Sequence, residues 1–154
     1  GVTVKNFLRQ AVNARREKPI RISEFKKILA ENMELRKMKP EFIDRYLNHG
    51  FSGGEKKKME ILQLLMLQPI VAILDETDSG LDVDALRQVC VGIKTVQERN
   101  PQMSILVITH YQRILEYLNP QKVMILQNGE IVKVGDHNLV QKIEQDGYEQ
   151  YVKK

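Results

Sequence analysis

The chain has 154 residues, of which 42% are hydrophobic and 29% are charged, with a net charge of +4. Such a length suits one globular domain with a hydrophobic core, and the scattered basic residues disfavour nucleic-acid binding. The longest apolar runs are too short for a membrane span, the N-terminus is too polar for a signal peptide, and one cysteine excludes a disulfide framework. We therefore expect a cytoplasmic protein, or a plastid one in a eukaryote, without direct membrane insertion.

Residues 1–50 are charged and helical in character. The segment ISEFKKILAENMEL spaces Phe25, Ile28 and Leu29 at helical intervals. The segment KPEFIDRYLNHG places Pro40 in the first turn of a further helix and Gly50 at its C-terminal stop. These patterns predict a helical subdomain over residues 1–50, with residues 51–154 forming a second part.

Residues 51–154 alternate helices and strands. The apolar runs IVAILD and SILVIT predict two buried strands, apolar on both faces, and the helical segment between them predicts a parallel pair with a crossover helix. Asn128-Gly129 predicts a type I′ hairpin turn. The predicted fold class is α/β. The predicted helices cover residues 54–67, 82–99 and 136–145, and the parallel strands cover residues 70–75 and 104–109.

Charged side chains follow both predicted parallel strands. Asp75 and Glu76 come after the first strand and His110 after the second. Ligands bind at this edge of a parallel sheet, and Mg²⁺ prefers one or two carboxylates with phosphate and water oxygens. A glutamate there can polarise a water, and a histidine can contact a terminal phosphate. The alternatives are a solvated strand end and a structural histidine.

The segment FSGGEKKK, residues 51–58, precedes a predicted helix. Two adjacent glycines before a helix are typical of a turn, but they can also leave N–H groups bare for an anion. The lysine triplet is typical of a solvated helix face. We also advance the hypothesis that one lysine of the triplet, Lys57 by preference, pairs with Glu76 and slows an isolated subunit.

In order, FSGGE, IVAILDE, DSGLD and ITH resemble the signature motif, Walker B strand, D-loop and switch histidine of the ATP-binding cassette family. The resemblance implies that Asp75 supports Mg²⁺, Glu76 orients or activates water and His110 senses the γ-phosphate of ATP. It further implies contacts with the nucleotide of a second subunit, through an ATP-dependent dimer. These contacts fall on the signature residues Ser52, Gly53, Gly54 and Glu55 and on the D-loop residues Ser79 and Asp82.

Within that family, the sequence is similar to the SufC family of soluble ATPases. Glu55 with the lysine triplet, TDSGLD at residues 77–82 and THYQRILEYLNP at residues 109–120 carry this similarity. It implies work in iron–sulfur cluster assembly with the scaffold proteins SufB and SufD, contacted through the helical subdomain. A nucleotide-binding subunit of a transporter and a non-catalytic docking module remain alternatives.

The phosphate-binding loop of the family is missing from this sequence. That loop needs G-x-x-x-x-G-K-[ST], and none of the nine glycines is followed by lysine. The adenine-stacking aromatic residue and the Q-loop are missing too. We therefore expect the chain to be the C-terminal part of such an ATPase, with residues 51–154 the C-terminal part of its core, and not to hold ATP by itself.

The single cysteine, Cys90, lies at core spacing with Leu86 and Ile93 in the predicted helix over residues 82–99. We expect it to be a small buried hydrophobic residue, since one thiolate cannot hold an iron–sulfur cluster. His49 is expected at a helix end and His137 at the start of a surface helix.

Overall fold

The computed structural model describes residues 1–151, apart from the side chain of Glu149. The chain forms two compact units, Gly1–Ile108 and a second that begins at Thr109. The elements of the first unit are α1 (Val4–Asn13), α2 (Ile22–Leu35), a 3-10 helix (Pro40–Asp44), α3 (Gly53–Leu67), β1 (Val71–Asp75), α4 (Val83–Arg99) and β2 (Ser104–Ile108).

The core of the first unit lies among α1, α2 and α3. Each helix places apolar residues three or four positions apart, so that one face of it is buried. At the end of α3, Gln68 adopts the left-handed conformation and Arg15 Nη1 donates to the Leu67 carbonyl at 2.6 Å. The buried residues of this core include Leu8, Val12, Phe25, Leu29, Met33, Phe42, Phe51, Met59 and Leu62.

The segment after Pro40 forms a short 3-10 helix instead of the predicted helix up to Gly50. Pro40 does occupy its first turn, but the backbone becomes extended at Arg45. The cause is pairing with the N-terminus, because Val4 N–H donates to Arg45 O at 3.0 Å and Leu47 N–H donates to Val2 O at 2.9 Å. His49 accordingly lies in an exposed turn, so its predicted place at a helix end was wrong.

Strands β1 and β2 pair in parallel, with Val71 opposite Ser104 and Asp75 opposite Ile108. This confirms the predicted parallel pair and its crossover helix, α4. The prediction of burial on both faces was wrong: Ala72 and Leu74 are buried, whereas Ile73 is 65% exposed. The two strands form a two-stranded sheet with one face buried or half-buried, and among the described residues the apolar side chains of the other face are exposed.

Helix α4 packs closely against α3 through Gly92. A Cβ at this position would lie 2.6 Å from Ile61 Cγ2 and 2.6 Å from Arg36 Nη1. Glycine is therefore needed here for close approach of the two helices. Cys90 lies on the buried side of the same helix, as predicted.

The second unit consists of α5 (Gln112–Leu118), β3 (Val123–Gln127), β4 (Glu130–Gly135), α6 (His137–Asp146) and a 3-10 helix (Glu149–Tyr151). Strands β3 and β4 form an antiparallel hairpin. Asn128 and Gly129 both have positive φ, at 49° and 82°, which confirms the type I′ turn. The core of this unit consists of Val123, Ile125, Leu139, Val140 and Ile143.

The predicted α/β class is confirmed, and the division of the chain at residue 50 stays a prediction. Asp136 forms the N-cap of α6, and His137 is its first residue, as expected for a helix start. Within residues 1–151 the structure contains no helix of the length and apolarity that crossing a bilayer requires.

Candidate functional site

Ser52 forms the N-cap of α3. Its Oγ accepts a hydrogen bond from Glu55 N–H at 3.2 Å, and Ser52 N–H donates to Glu55 Oε2 at 2.8 Å. This reciprocal pair is a capping box, which satisfies two backbone donors that a helix start leaves open. The serine and glutamate of the predicted signature motif thus define where α3 begins.

Gly53 and Gly54 form the first turn of α3, and local packing does not require either glycine. Among the described residues, a Cβ added to either glycine would have no heavy atom within 4 Å, and neither glycine has positive φ. The space beside this helix start is therefore open to an approaching group. Helix starts attract anions through their bare N–H groups and their dipole.

Arg45 holds in place the predicted signature motif, residues 51–55, which we call the signature segment. Its Nη1 forms an ion pair with Glu55 Oε1, and its Nη2 donates to the Gly50 carbonyl at 2.7 Å. The hydrogen bond from Ser52 N–H and the Arg45 guanidinium together hold the pKa of the Glu55 carboxyl below its ordinary value. Arg45 was not predicted from the sequence, because an arginine ten residues before a glutamate gives no periodic signal.

Asp75 and Glu76 lie at the carboxyl end of β1, and both are exposed. Glu76 leaves the strand with a φ of 46°, a left-handed conformation that is uncommon outside glycine. Its N–H donates to the Ile108 carbonyl at 2.9 Å, so β2 fixes the backbone at this point. Residues in this conformation cluster at functional sites, and the role of Glu76 toward water stays a prediction.

A tight turn over residues 76–82 links β1 to α4. Ser79 N–H donates to the Glu76 carbonyl at 3.1 Å, and Gly80 has a φ of 70°. Asp82 caps α4, because its Oδ1 accepts from Ala85 N–H at 2.7 Å. Thr77 and Asp78, the first two residues of the TDSGLD motif, are buried polar residues of this turn.

Lys57 connects the start of α3 to the end of β1. Its Nζ lies 3.2 Å from the carboxylate of Glu60 and 3.5 Å from the main-chain oxygen of Glu76. The structure therefore brings Lys57 to residue 76, as the sequence hypothesis required. The pairing of Lys57 with the Glu76 carboxylate stays a prediction.

A cavity of about 270 Å³ lies between the starts of α3 and α4. Arg36 lines it, and burial, followed by the charge of Arg99, lowers the pKa of this arginine. The cavity is lined both by Gly54 of the predicted signature motif and by Asp82 of the predicted D-loop. Its lining includes Gly54, Lys57, Lys58, Asp82 and Asp84.

His110 belongs to the second unit, in which its ring lies 4.0 Å from the ring of Tyr111. Thr109 Oγ1 accepts from Tyr111 N–H at 2.9 Å and fixes the turn that leads into α5. The role of His110 toward a phosphate stays a prediction.

The donor set at the end of β1 fits Mg²⁺ of the kind that a nucleotide brings. Asp75 offers one exposed carboxylate, and the described residues include no group of three or more metal-binding side chains. Mg²⁺ commonly takes one or two carboxylates and fills its other positions with phosphate and water oxygens. The carboxylate of Asp75 matches this preference, and its role toward Mg²⁺ stays a prediction.

A model of the ABC transporter family matches residues 3–79 of the chain, which include the signature segment, Asp75 and Glu76. Vegetative protein 296 of Bacillus subtilis is 52% identical over 151 residues, covering 97% of this chain and 57% of that protein. The probable ATP-dependent transporter ycf16 of Cyanophora paradoxa is 47% identical, covering 97% and 58%. The chain thus spans less than two thirds of the length of these curated relatives.

Solved structures share the fold. The dimeric structure of MJ0796, a bacterial ABC transporter cassette, matches with a TM-score of 0.74 at 17% identity, covering 88% of this chain and 57% of that one. The twinned structure of MJ1267, an ATP-binding cassette of an ABC transporter, matches with a TM-score of 0.74 at 21% identity, covering 98% and 63%. At these identities the likeness establishes the fold.

Proposed function

The chain belongs to the ABC transporter family, and from this membership we propose that it supplies the signature motif, Walker B carboxylates and D-loop of an ATP-hydrolysing cassette. One observation carries the proposal. The capped start of α3 leaves Gly53 and Gly54 open, although the packing of residues 1–151 does not require glycine at either position. Open amides at a helix start suit the terminal phosphate of a nucleotide held by a second copy.

The proposed roles follow the chemistry of each side chain. Asp75 would hold Mg²⁺, which neutralises phosphate charge when it is bound. Glu76 would orient the attacking water, and its constrained backbone keeps its position at the strand end. Ser79 and Asp82 would form the turn that faces the second copy, and His110 would contact the γ-phosphate.

Replacement of Glu76 tests this function. In the full-length protein, Glu76→Gln should lower ATP turnover by about 10²-fold or more, the scale of a positioned acid–base group, and should spare nucleotide affinity. The matched control is Glu98→Gln, which should behave as wild type. Glu98 carries an exposed carboxylate near the C-terminal end of α4. Turnover near wild type in Glu76→Gln would remove the glutamate from the mechanism.

We propose further that the cassette is of the SufC type and powers iron–sulfur cluster assembly on SufB and SufD. The support is the resemblance of Glu55 with its lysine triplet and of TDSGLD, residues 77–82, to that family. Co-purification of the full-length protein with SufB and SufD is the expected result. Loss of that complex after substitutions on the exposed side of α2 would agree with contact through the helical subdomain.

A transporter subunit is the second candidate. It is favoured by the relative from Streptococcus pyogenes named as a probable ABC transporter ATP-binding protein, which is 48% identical over 150 residues. Recovery of a membrane domain with the full-length protein, in place of SufB and SufD, would select this candidate.

A further inference from the structure

The proposed phosphate-binding segment contains a carboxylate of its own. Glu55 lies at the third position of α3, beside the amides of Gly53 and Gly54. Its charge suits the positive end of the helix dipole and completes the capping box. The same charge would repel a phosphate that approaches those amides, because like charges a few ångströms apart interact strongly when water is displaced.

Arg45 contacts this carboxylate and the loop that leads to it. One guanidinium nitrogen pairs with Glu55 Oε1, and the other donates to the Gly50 carbonyl at 2.7 Å. The second carboxylate oxygen, Oε2, accepts from Ser52 N–H at 2.8 Å. Both oxygens of Glu55 are therefore directed to the side of the loop, and its charge is balanced by a fixed cation.

The guanidinium is itself held by two aromatic rings. Its Cζ lies 4.7 Å from the ring centre of Phe51 and 5.3 Å from that of Phe42, and both rings are buried. The backbone of Arg45 is fixed as well, because its carbonyl accepts from Val4 N–H. Arginine stacks on rings and donates in a planar fork, so a lysine reproduces only part of this arrangement.

We infer that Arg45 is a positioning residue for the signature segment: it neutralises Glu55 and fixes residues 50–55, so that the start of α3 can accept a phosphate group presented by a second copy of the cassette. The inference rests on the proposed function, because it needs a nucleotide at this helix start. It adds a residue that lies outside the signature motif and makes the charge of Glu55 compatible with phosphate.

The test is steady-state ATPase activity of the full-length protein, together with ATP affinity measured on the monomer. Arg45→Met should lower turnover by about tenfold or more, the scale of one charge-assisted hydrogen bond, without changing monomer affinity by more than about twofold. Adding Glu55→Gln to Arg45→Met should restore at least about half of that loss on a logarithmic scale, because it removes the unbalanced charge. A purely structural role of Arg45 predicts no such recovery.

Lys5→Met is the matched control, because it breaks the exposed ion pair between Lys5 and Asp44, the residue directly before Arg45. Exposed ion pairs contribute little, so this variant should leave turnover unchanged. If Arg45→Met does not fold, Arg45→Gln, which also removes the charge but keeps a polar side chain, takes its place with the same recovery criterion. Wild-type turnover in the Arg45 variant, or no recovery in the double variant, overturns the inference. Glu76→Gln, measured in parallel, separates the two failures: its wild-type turnover overturns the proposed function, and the inference with it.

Discussion

At the scale of single residues, Gly53 and Gly92 show two different reasons for a glycine. Gly92 lies where a methyl group would overlap its neighbours, whereas Gly53 lies beside open space. The first is required by packing. Among the described residues, Gly53 has no steric reason to be glycine. We therefore propose that it leaves room for a ligand to approach the helix start.

We expect Gly53→Ala to separate stability from activity. The thermal stability of the full-length protein should be unchanged or raised, because alanine restricts the unfolded chain by about 0.4–1 kcal/mol at a compatible position. Its ATPase rate should fall about tenfold or more, since the methyl group blocks a phosphate from the helix start; a lost hydrogen bond to a charged group is of this size. An ATPase rate equal to wild type would contradict the assignment of this glycine to phosphate contact.

Lys57 is the second residue whose substitution is informative. If its ammonium group restrains Glu76 in an isolated subunit, Lys57→Ala should raise the basal ATPase rate of the full-length protein severalfold, and high salt should reduce the difference. Lys56→Ala is the control, because this neighbouring lysine is exposed. Equal basal rates in the wild type and in both variants would show that Lys57 does not restrain Glu76.

Cys90 should be chemically inert in the folded protein. It is buried, and burial raises the pKa of its thiol to about 11. Because the pKa is raised, the thiolate is scarce at neutral pH: at pH 8 about one molecule in a thousand carries it. Alkylation by iodoacetamide at pH 8 should therefore be slow in native conditions and fast in denaturant, and rapid native labelling would show that the thiol is accessible.

At the scale of elements, the contact between α3 and α4 depends on Gly92. Gly92→Ala should lower the free energy of unfolding by about 1–3 kcal/mol, the usual effect of overpacking a core. Val91→Ala on the same helix is the control: Val91 is 47% exposed, and its loss should change stability by about 0.5 kcal/mol or less. Denaturant titration of the full-length protein measures both, and equal midpoints would show that the helices can separate without loss.

Most elements from residue 53 onward were predicted in the right order and type, because each carries a local signal, whereas helix α5 was not predicted. Apolar periodicity marks α3 and α4, and the Asn128-Gly129 pair marks the hairpin. The 3-10 helix after Pro40 was not predictable, since a backbone pairing with the N-terminus ends it. The prediction that both faces of β1 are buried was also wrong, because an apolar run does not tell which faces of a strand other elements cover.

The candidate site also contains residues that the sequence predicts and features that it does not predict. Ser52, Gly53, Asp75 and Glu76 stand in contiguous motifs, so the sequence alone offered them as candidates, and their roles stay predictions. The ion pair of Arg45 with Glu55 joins residues ten positions apart along the chain. The left-handed backbone of Glu76 lies where two strands pair. Such contacts leave no pattern in a single sequence.

At the scale of the whole molecule, the expectation that the 154-residue chain does not hold ATP by itself stays a prediction. The chain contains no glycine-lysine pair for a phosphate loop, which supplies most phosphate contacts in this family. We expect calorimetry on the 154-residue chain to detect no Mg²⁺-dependent ATP site tighter than about 10 μM, roughly −7 kcal/mol. A stoichiometric site of higher affinity would show that these residues hold the nucleotide in another way.

The parallel pairing of β1 with β2 also sets an order of events during folding. Val71 meets Ser104 across a connection of about thirty residues that includes α4, so this pairing requires the closure of a long loop, an entropically slow step. The N–H of Glu76 can find the Ile108 carbonyl only after that closure. In a refolding experiment followed by hydrogen exchange, the amide of Glu76 should therefore gain protection later than the amides within α3.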